Sequence, residues 1–458
     1  MSDRSELMQE QAWELLENSI LFYREQPIGT IAARDPDGAS LNYDQCFVRD
    51  FVSSGLLFLL KGKPDIVRNF LEETLKLQPK TGQFDSSKPS RGLMPASFKI
   101  QTIGTQEHLK ADFGDYAIGR VAPADSGLWW IILLRAYAIA TQDRDLVQRA
   151  DFQEGIRLIL ELCLVIRFDM YPMVLVPDAA SMIDRRMGLY GHPLDIQSLF
   201  YAALRASLEL LVPNADNQNI LLAVRRRLPP LLKQLRENYW IDPERLNVIY
   251  RYRVEEYGEE ALNQFNIFSD SIPFYRLAKW LPEAGGYLAG NLGPSQLDTR
   301  FFAIGNLMAI ITALTNEYQS HCILNVIELR WNDLIGQMPM KLCFPALEDS
   351  DWKTVTGADP KNRPWSYHNG GSWPVLLWML AAAAKKMGRG ELALHAIAIA
   401  ERRLLFDQWP EYYDGPDARL IGKEARRFQT WTITGYLLTK ELIANPSHLK
   451  LITFEEED

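Results

Sequence analysis

Histidine and cysteine are scarce in this chain of 458 residues, which holds six of the first and four of the second. Cys46, Cys163, Cys322 and Cys343 stand far apart, with no Cys-x-x-Cys or Cys-x-x-His pair. That spacing argues against a structural zinc site, and no cysteine has an evident activating neighbour. No apolar run reaches the roughly 18 residues needed to span a bilayer. There is no Asn-x-Ser/Thr acceptor free of proline. Met1-Ser2-Asp3-Arg4-Ser5-Glu6 opens onto a charged amphipathic segment where a secretory signal would need an apolar core. A reducing, cytoplasmic setting is expected. Excess positive charge is lacking as well: the net charge is −9, and short runs such as Arg225-Arg226-Arg227 read as a solvated helix face. Nucleic acid and membrane are therefore excluded as partners. Neither a Gly-x-Ser-x-Gly elbow nor a His-Glu-x-x-His helix occurs. Gly114-x-x-x-x-Gly119 is followed by Arg120-Val121, which cannot replace the Lys-Ser/Thr of a phosphate cradle.

Apolar side chains are plentiful at 47%, and aromatics reach 11% with 12 Trp and 18 Tyr. Helical periodicity runs through 7–25, 46–62, 64–78, 126–142, 151–168, 193–211, 217–238, 270–281, 298–318, 320–337, 372–387, 389–407 and 428–444. Most joints are short. Five are long: 27–43, 80–124, 169–192, 338–371 and 408–427. They are rich in Gly, Pro, Trp, Tyr and acids, and long joints in compact domains are usually functional or disordered. Short apolar stretches, Val174–Pro177 and Val248–Tyr252, read as small strands. An all-α toroid of paired helices follows, in one domain spanning 1–458, with long loops on one rim and 447–458 as a flexible acidic tail.

Two carboxylates draw attention. Asp184 lies in Met182-Ile183-Asp184-Arg185-Arg186-Met187-Gly188-Leu189-Tyr190-Gly191-His192-Pro193, a loop sharpened by glycines just before a helix. A surface salt bridge to the arginines would explain it equally well. Glu411 lies in Trp409-Pro410-Glu411-Tyr412-Tyr413-Asp414-Gly415. Asp-Gly is a turn signal, but the aromatic crowd suits a desolvated acid/base group. Arg49 and Asp50 fall early in a helix, where Asp could serve only the helix dipole. Asp125 and Trp129 open another, where Asp125 could be a plain N-cap. His368 sits in Arg363–Pro374, and Gln429, Thr430 and Trp431 begin the last helix. These sites share one kind of place, the start of a helix after a long loop. Two carboxyls, aromatic platforms and hydrogen-bonding side chains are what glycosidic cleavage requires.

Ile183–Gly188, Trp409–Asp414, Gln429–Thr432, Leu41–Asp50 and Asp125–Trp130 resemble the alkaline/neutral invertases, glycoside hydrolase family 100, over about 20–445 of the chain. The resemblance implies an (α/α)6 barrel, sucrose as substrate, no cofactor or metal, and inversion at the anomeric carbon. It implies Asp184 as general acid and Glu411 as general base. Arg49, Asp50, Asp125, Trp129, Arg186, His368, Gln429, Thr430 and Trp431 are the expected substrate-binding residues. Arg49-Asp50 looks like the pair by which helical-barrel glucosidases such as glucoamylase hold glucose. A homo-oligomer is expected, although periodicity reveals no surface for it. The rival readings are a trehalose- or maltose-cleaving barrel, a sugar isomerase, which usually needs more histidine, and a non-catalytic helical scaffold.

Overall fold

The protein is described by a computed structural model that covers residues 2–35, 42–81, 90–114, 122–164, 171–176, 179–183, 187, 189–246, 274–293 and 296–456. Its main helices are of two kinds. Val48–Leu60, Ser126–Thr141, Leu194–Leu210, Ala303–Ile311, Leu377–Lys386 and Thr430–Ala444 are apolar on nearly every face. Such helices have no side to offer to water and belong in a core. Ser2–Asn18, Pro64–Leu77, Ala150–Cys163, Gln218–Asn238, Glu317–Leu329 and Gly390–Ala400 carry more polar residues. In Pro64–Leu77 the buried residues Ile66, Val67, Phe70, Leu71, Thr74 and Leu75 form one stripe.

Numbered in chain order, these twelve are α1 to α12, and the two kinds alternate: the odd helices are outer, the even ones inner. The inner helices touch in the cyclic order α2, α4, α6, α8, α10, α12, and α12 packs back on α2. Each outer helix leans on inner neighbours: α3 on α2 and α4, α11 on α10 and α12. The result is an (α/α)6 barrel. Buried hydroxyls within the helices bond back one turn, as Thr74 does to Phe70 O (2.7 Å) and Ser207 to Ala203 O (2.7 Å). Gly435 lets α12 approach Val375 closely, since a Cβ there would lie 2.8 Å from the Val375 Cα.

Several element boundaries differ from expectation. The helix expected over 7–25 ends at Asn18, and Ile20–Tyr23 pairs antiparallel with Gln26–Thr30. The run Ile20-Leu21-Phe22-Tyr23 favours a strand, and Arg24 and Glu25 make the turn with φ of 50° and 65°. The helix expected over 298–318 is split: Gln296–Phe302 is a strand paired with Tyr287–Gly293, and α8 begins only at Ala303. The helix expected over 389–407 gives way to turns after Ala400. The joint 80–124 contains a hairpin, Ser97–Ile103 with Gln106–Asp112. Val176 bridges Gly191, whereas Val248–Tyr252 lies outside the described residues. Arg225 and Arg226 are exposed, but Arg227 turns inward and donates to Pro172 O (3.2 Å). The tail does not hang free up to residue 456. Leu451, Ile452 and Phe454 are buried, Phe454 N donates to Ile311 O, and Arg236 pairs with Glu456.

Candidate active site

All six inner helices start on one rim, and their first turns enclose a cavity on the barrel axis. Asp50 comes from α2, Asp125 from the N-terminus of α4, Asp195 from α6, Ile304 from α8, Trp378 from α10 and Trp431 from α12. Three carboxylates therefore sit at the positive ends of three helix dipoles. The expected ring of helix starts is present.

Asp125 is not a plain N-cap. Its side chain makes no capping bond and accepts from Arg49 Nη1 at 2.7 Å. Arg49 Nε also lies 3.8 Å from Asp50 Oδ1. One guanidinium thus holds two carboxylates from adjacent inner helices. Burial pushes the Asp50 carboxyl up to about 7, against the pull of Arg49, with Glu411 and Asp125 adding repulsion. Burial likewise raises Asp195 to about 6. Trp129 lines the same cavity.

Glu411 stands where the chain returns from α11 to α12. Residues 408–411 run beside 426–429, tied by Phe428 N to Gln408 O (2.8 Å), Gln429 N to Trp409 O (3.0 Å) and Glu411 N to Arg426 O (2.8 Å). The Thr432 hydroxyl donates to Pro410 O at 3.0 Å. Glu411 is 4% exposed, and its carboxylate accepts from the Tyr43 hydroxyl at 2.9 and 3.1 Å. Burial raises its pKa, and Lys361, the Tyr43 hydrogen bond and Arg426 oppose the rise. Arg426 also covers the Tyr43 ring at 5.4 Å.

An aromatic wall joins the two loops. Trp373 stacks on Tyr412 (5.2 Å) and meets Trp431 edge-on (5.4 Å). His368 stacks on Tyr367 at 3.8 Å, and Lys361 lies 3.9 Å from the Tyr367 ring centre. Trp365, Tyr367, Gln408, Trp409 and Phe428 all take positive φ without being glycine. Such backbone costs about 1–3 kcal/mol per residue and clusters at functional sites.

The structure thus gathers Arg49, Asp50, Asp125, Trp129 and Trp431 around the cavity, with Glu411 close enough to act on Asp50 electrostatically. His368 belongs to the aromatic wall. Gln429 and Thr430 are less available. The Thr430 hydroxyl donates to Ile31 O at 2.7 Å, and the Gln429 amide, oriented to donate to Ala32 O at 2.9 Å, accepts from Trp431 Nε1. Asp184 and Arg186 lie outside the described residues, between the buried Ile183 and Met187. Tyr43, Lys361, Arg426 and Asp195 were not singled out in the sequence. Asp195 had a legible signal, a carboxylate in the first turn of an otherwise apolar helix. Tyr43 falls inside the Leu41–Asp50 stretch, but nothing there points to a partner 368 residues away. Among the described residues no group of three or more His, Cys, Asp or Glu is arranged to hold a metal ion, and no helix is long and apolar enough to cross a membrane.

The family model described as "Alkaline and neutral invertase" matches residues 12–446. Over 458 aligned residues, 98% of this chain and 75% of the relative, the chain is 52% identical to "Neutral/alkaline invertase 3, chloroplastic" from Oryza sativa subsp. japonica. It is also 52% identical to "Cytosolic invertase 1" of the same plant, over 97% of this chain and 80% of that one. Among solved structures, a GH63 mannosylglycerate hydrolase from Thermus thermophilus superposes with a TM-score of 0.54 at 12% identity, covering 94% of this chain and 99% of that one. That likeness speaks to the barrel fold alone.

Proposed function

The chain belongs to the alkaline and neutral invertase family, and from that premise we propose that it hydrolyses sucrose to glucose and fructose by an inverting two-carboxylate mechanism. Asp184 is the general acid and Glu411 the general base. The observation that carries this reading is Glu411 itself: a buried carboxylate, held from two directions by Tyr43 and the Arg426 backbone, beside a cavity ringed by six helix starts. Met182, two residues before Asp184 in the sequence, lines that cavity.

In this mechanism Arg49 and Asp50 hold the glucose unit, and the aromatic wall of Trp373 and Trp431 gives its ring an apolar face to lie on. Asp184 protonates the bridging oxygen as fructose leaves. Glu411 takes a proton from a water that attacks the anomeric carbon from the opposite side. The base must be ionised to act. Burial works against that, and the Tyr43 hydroxyl, with Lys361 and Arg426, works for it. A cytoplasmic location is part of the proposal. The cytosolic relative supports it, the chloroplastic one leaves the compartment to be tested by cell fractionation.

The deciding experiment is NMR of the first-formed glucose. Sucrose is an α-glucoside, so inversion yields β-glucose first; initial α-glucose would sink the mechanism.

A further inference from the structure

The axial cavity has more unanswered polarity than this mechanism uses. Among the described residues, four buried atoms on its wall lack a hydrogen-bond partner: Asp195 Oδ1 and Oδ2, Asp125 Oδ1 and Arg49 Nε. Buried polar atoms in native proteins are nearly always paired. Four orphans around one cavity are a surface shaped for a guest that brings its own hydroxyls.

Asp195 is the most isolated of the three carboxylates. Asp125 has Arg49 at 2.7 Å, and Asp50 has the same guanidinium at 3.8 Å. Asp195 is 2% exposed and, among the described residues, has no ion pair. The Ser181 hydroxyl and the Ile196 N–H face its carboxyl and oppose the rise in its pKa, although neither closes to a well-formed hydrogen bond. That hydroxyl is nevertheless engaged with the Ile183 backbone, donating to its carbonyl at 3.4 Å and accepting from its N–H at 3.3 Å. The cavity lining also offers apolar surface, with Leu199, Ile304, Trp378 and Met379. The cavity volume is about 30 Å³, room for a water-sized group or two but not for a pyranose ring. One part of a hexose has that size and that character: the exocyclic hydroxymethyl group, a methylene for the apolar wall and a hydroxyl for an acceptor.

We propose that the cavity receives the hydroxymethyl group of the glucose unit and that Asp195 accepts its hydroxyl, which makes Asp195 a specificity-determining residue. This rests on the reading of the protein as a sucrose hydrolase. It goes beyond that reading in placing one substrate atom against one side chain outside the Arg49–Asp50 pair. Two consequences follow. A glucosyl unit without this hydroxyl leaves a buried carboxylate unpaired and is rejected. A glucosyl unit phosphorylated there meets three carboxylates, balanced among the described lining residues by the one guanidinium of Arg49, and is rejected more strongly.

The test compares kcat/KM for sucrose with that for its analogue deoxygenated at the glucose hydroxymethyl carbon, in wild-type, Asp195→Asn and Asp195→Leu enzymes. Wild type should prefer sucrose by at least about tenfold. The Leu variant should bring the ratio close to one, and the Asn variant should fall between. The same ratio in all three enzymes would overturn the assignment and leave Asp195 a structural residue. Should the Leu variant fail to fold, inhibition of wild type by glucose against 6-deoxyglucose gives the same answer: glucose should inhibit at least about tenfold better, and equal inhibition overturns the proposal. A wild-type protein that does not cleave sucrose at all would overturn the underlying function instead, so the two failures are distinguishable.

Discussion

The phenol of Tyr43 donates to both carboxylate oxygens of Glu411, at 2.9 and 3.1 Å, across 368 residues of sequence. A hydrogen bond from a neutral donor favours the ionised acid, so Tyr43 holds down a pKa that burial raises. Tyr43→Phe removes the bond while keeping the ring under Arg426. Hydrogen bonds to charged groups contribute about 1.5–3 kcal/mol, so kcat should fall about tenfold or more. The acid limb of the pH profile should move to higher pH, because the carboxylate then needs less acid to be neutralised. A limb that stays in place or moves down would separate Tyr43 from the base.

Replacing the proposed base itself is a harsher test. Glu411→Gln keeps the shape and an acceptor for Tyr43, so the barrel should fold with an unchanged circular dichroism spectrum. Sucrose turnover should drop by about 10²–10⁴-fold, the usual contribution of an acid/base group. Near-normal turnover would return Glu411 to the role of a buried structural acid.

How much of this was legible in the sequence depends on distance along the chain. The inner helices announce themselves by being apolar all round, and their starts carry the acids and tryptophans that a rim of helix N-termini brings together. That logic found Asp50, Asp125, Trp129 and Trp431 from pattern alone. It misread the junctions where an apolar run changes period: Ile20–Tyr23 and Gln296–Phe302 look like helix extensions until their strand partners are known. Partnerships across the ring were out of reach. Nothing near Asp125 in sequence predicts that its cap bond is given up for Arg49, and nothing near Thr430 predicts that its hydroxyl is spent on Ile31.

The Arg49–Asp125 pair should be worth more to folding than a surface bridge. Asp125 is 2% exposed in its side chain and Arg49 18%. Removing one partner of a buried pair costs about 3–5 kcal/mol when the other is left bare, and Asp50 at 3.8 Å keeps Arg49 from that after Asp125→Asn. Asp125→Asn should therefore lower the unfolding midpoint in denaturant, and Arg49→Met, which leaves both carboxylates without their guanidinium, should lower it more. A single variant as stable as wild type would show the pair to be solvated.

A glycine fixes the chain shortly after the proposed general acid. Gly191 has φ 127°, bridges Val176, and would place a Cβ 2.6 Å from Leu292 O. Backbone cannot step aside cheaply there, so Gly191→Ala should shift the loop that holds Asp184. Turnover should fall at least about tenfold, because small misplacements of an acid are costly. Stability should fall by about 1 kcal/mol or more. An alanine variant with normal turnover would show that this anchor does not govern the acid.

Stability itself should depend on pH through the cavity acids. Asp50 is raised to about 7 and Asp195 to about 6, from an ordinary 3.8. An acid whose folded pKa lies above its unfolded one keeps its proton in the native state after the unfolded chain has lost it. Its contribution is complete below about pH 4 and is lost as pH rises through 6 to 7, by several kcal/mol at most. Asp143 and Asp151 are shifted the other way, and their contribution is lost only in acid below that window. His192, held down by burial, works against the trend by destabilising the fold as pH falls. It is common to wild type and variant, so their difference isolates the acids. The gap in unfolding midpoint between wild type and Asp50→Asn/Asp195→Asn should widen in the variant's favour from pH 5 to pH 8. On the proposed function sucrose supplies hydroxyls to those oxygens, so adding it to the Glu411→Gln enzyme should stabilise that single variant more than Glu411→Gln/Asp50→Asn/Asp195→Asn. Parallel pH curves for the two proteins would mean that both carboxyls titrate as if in water.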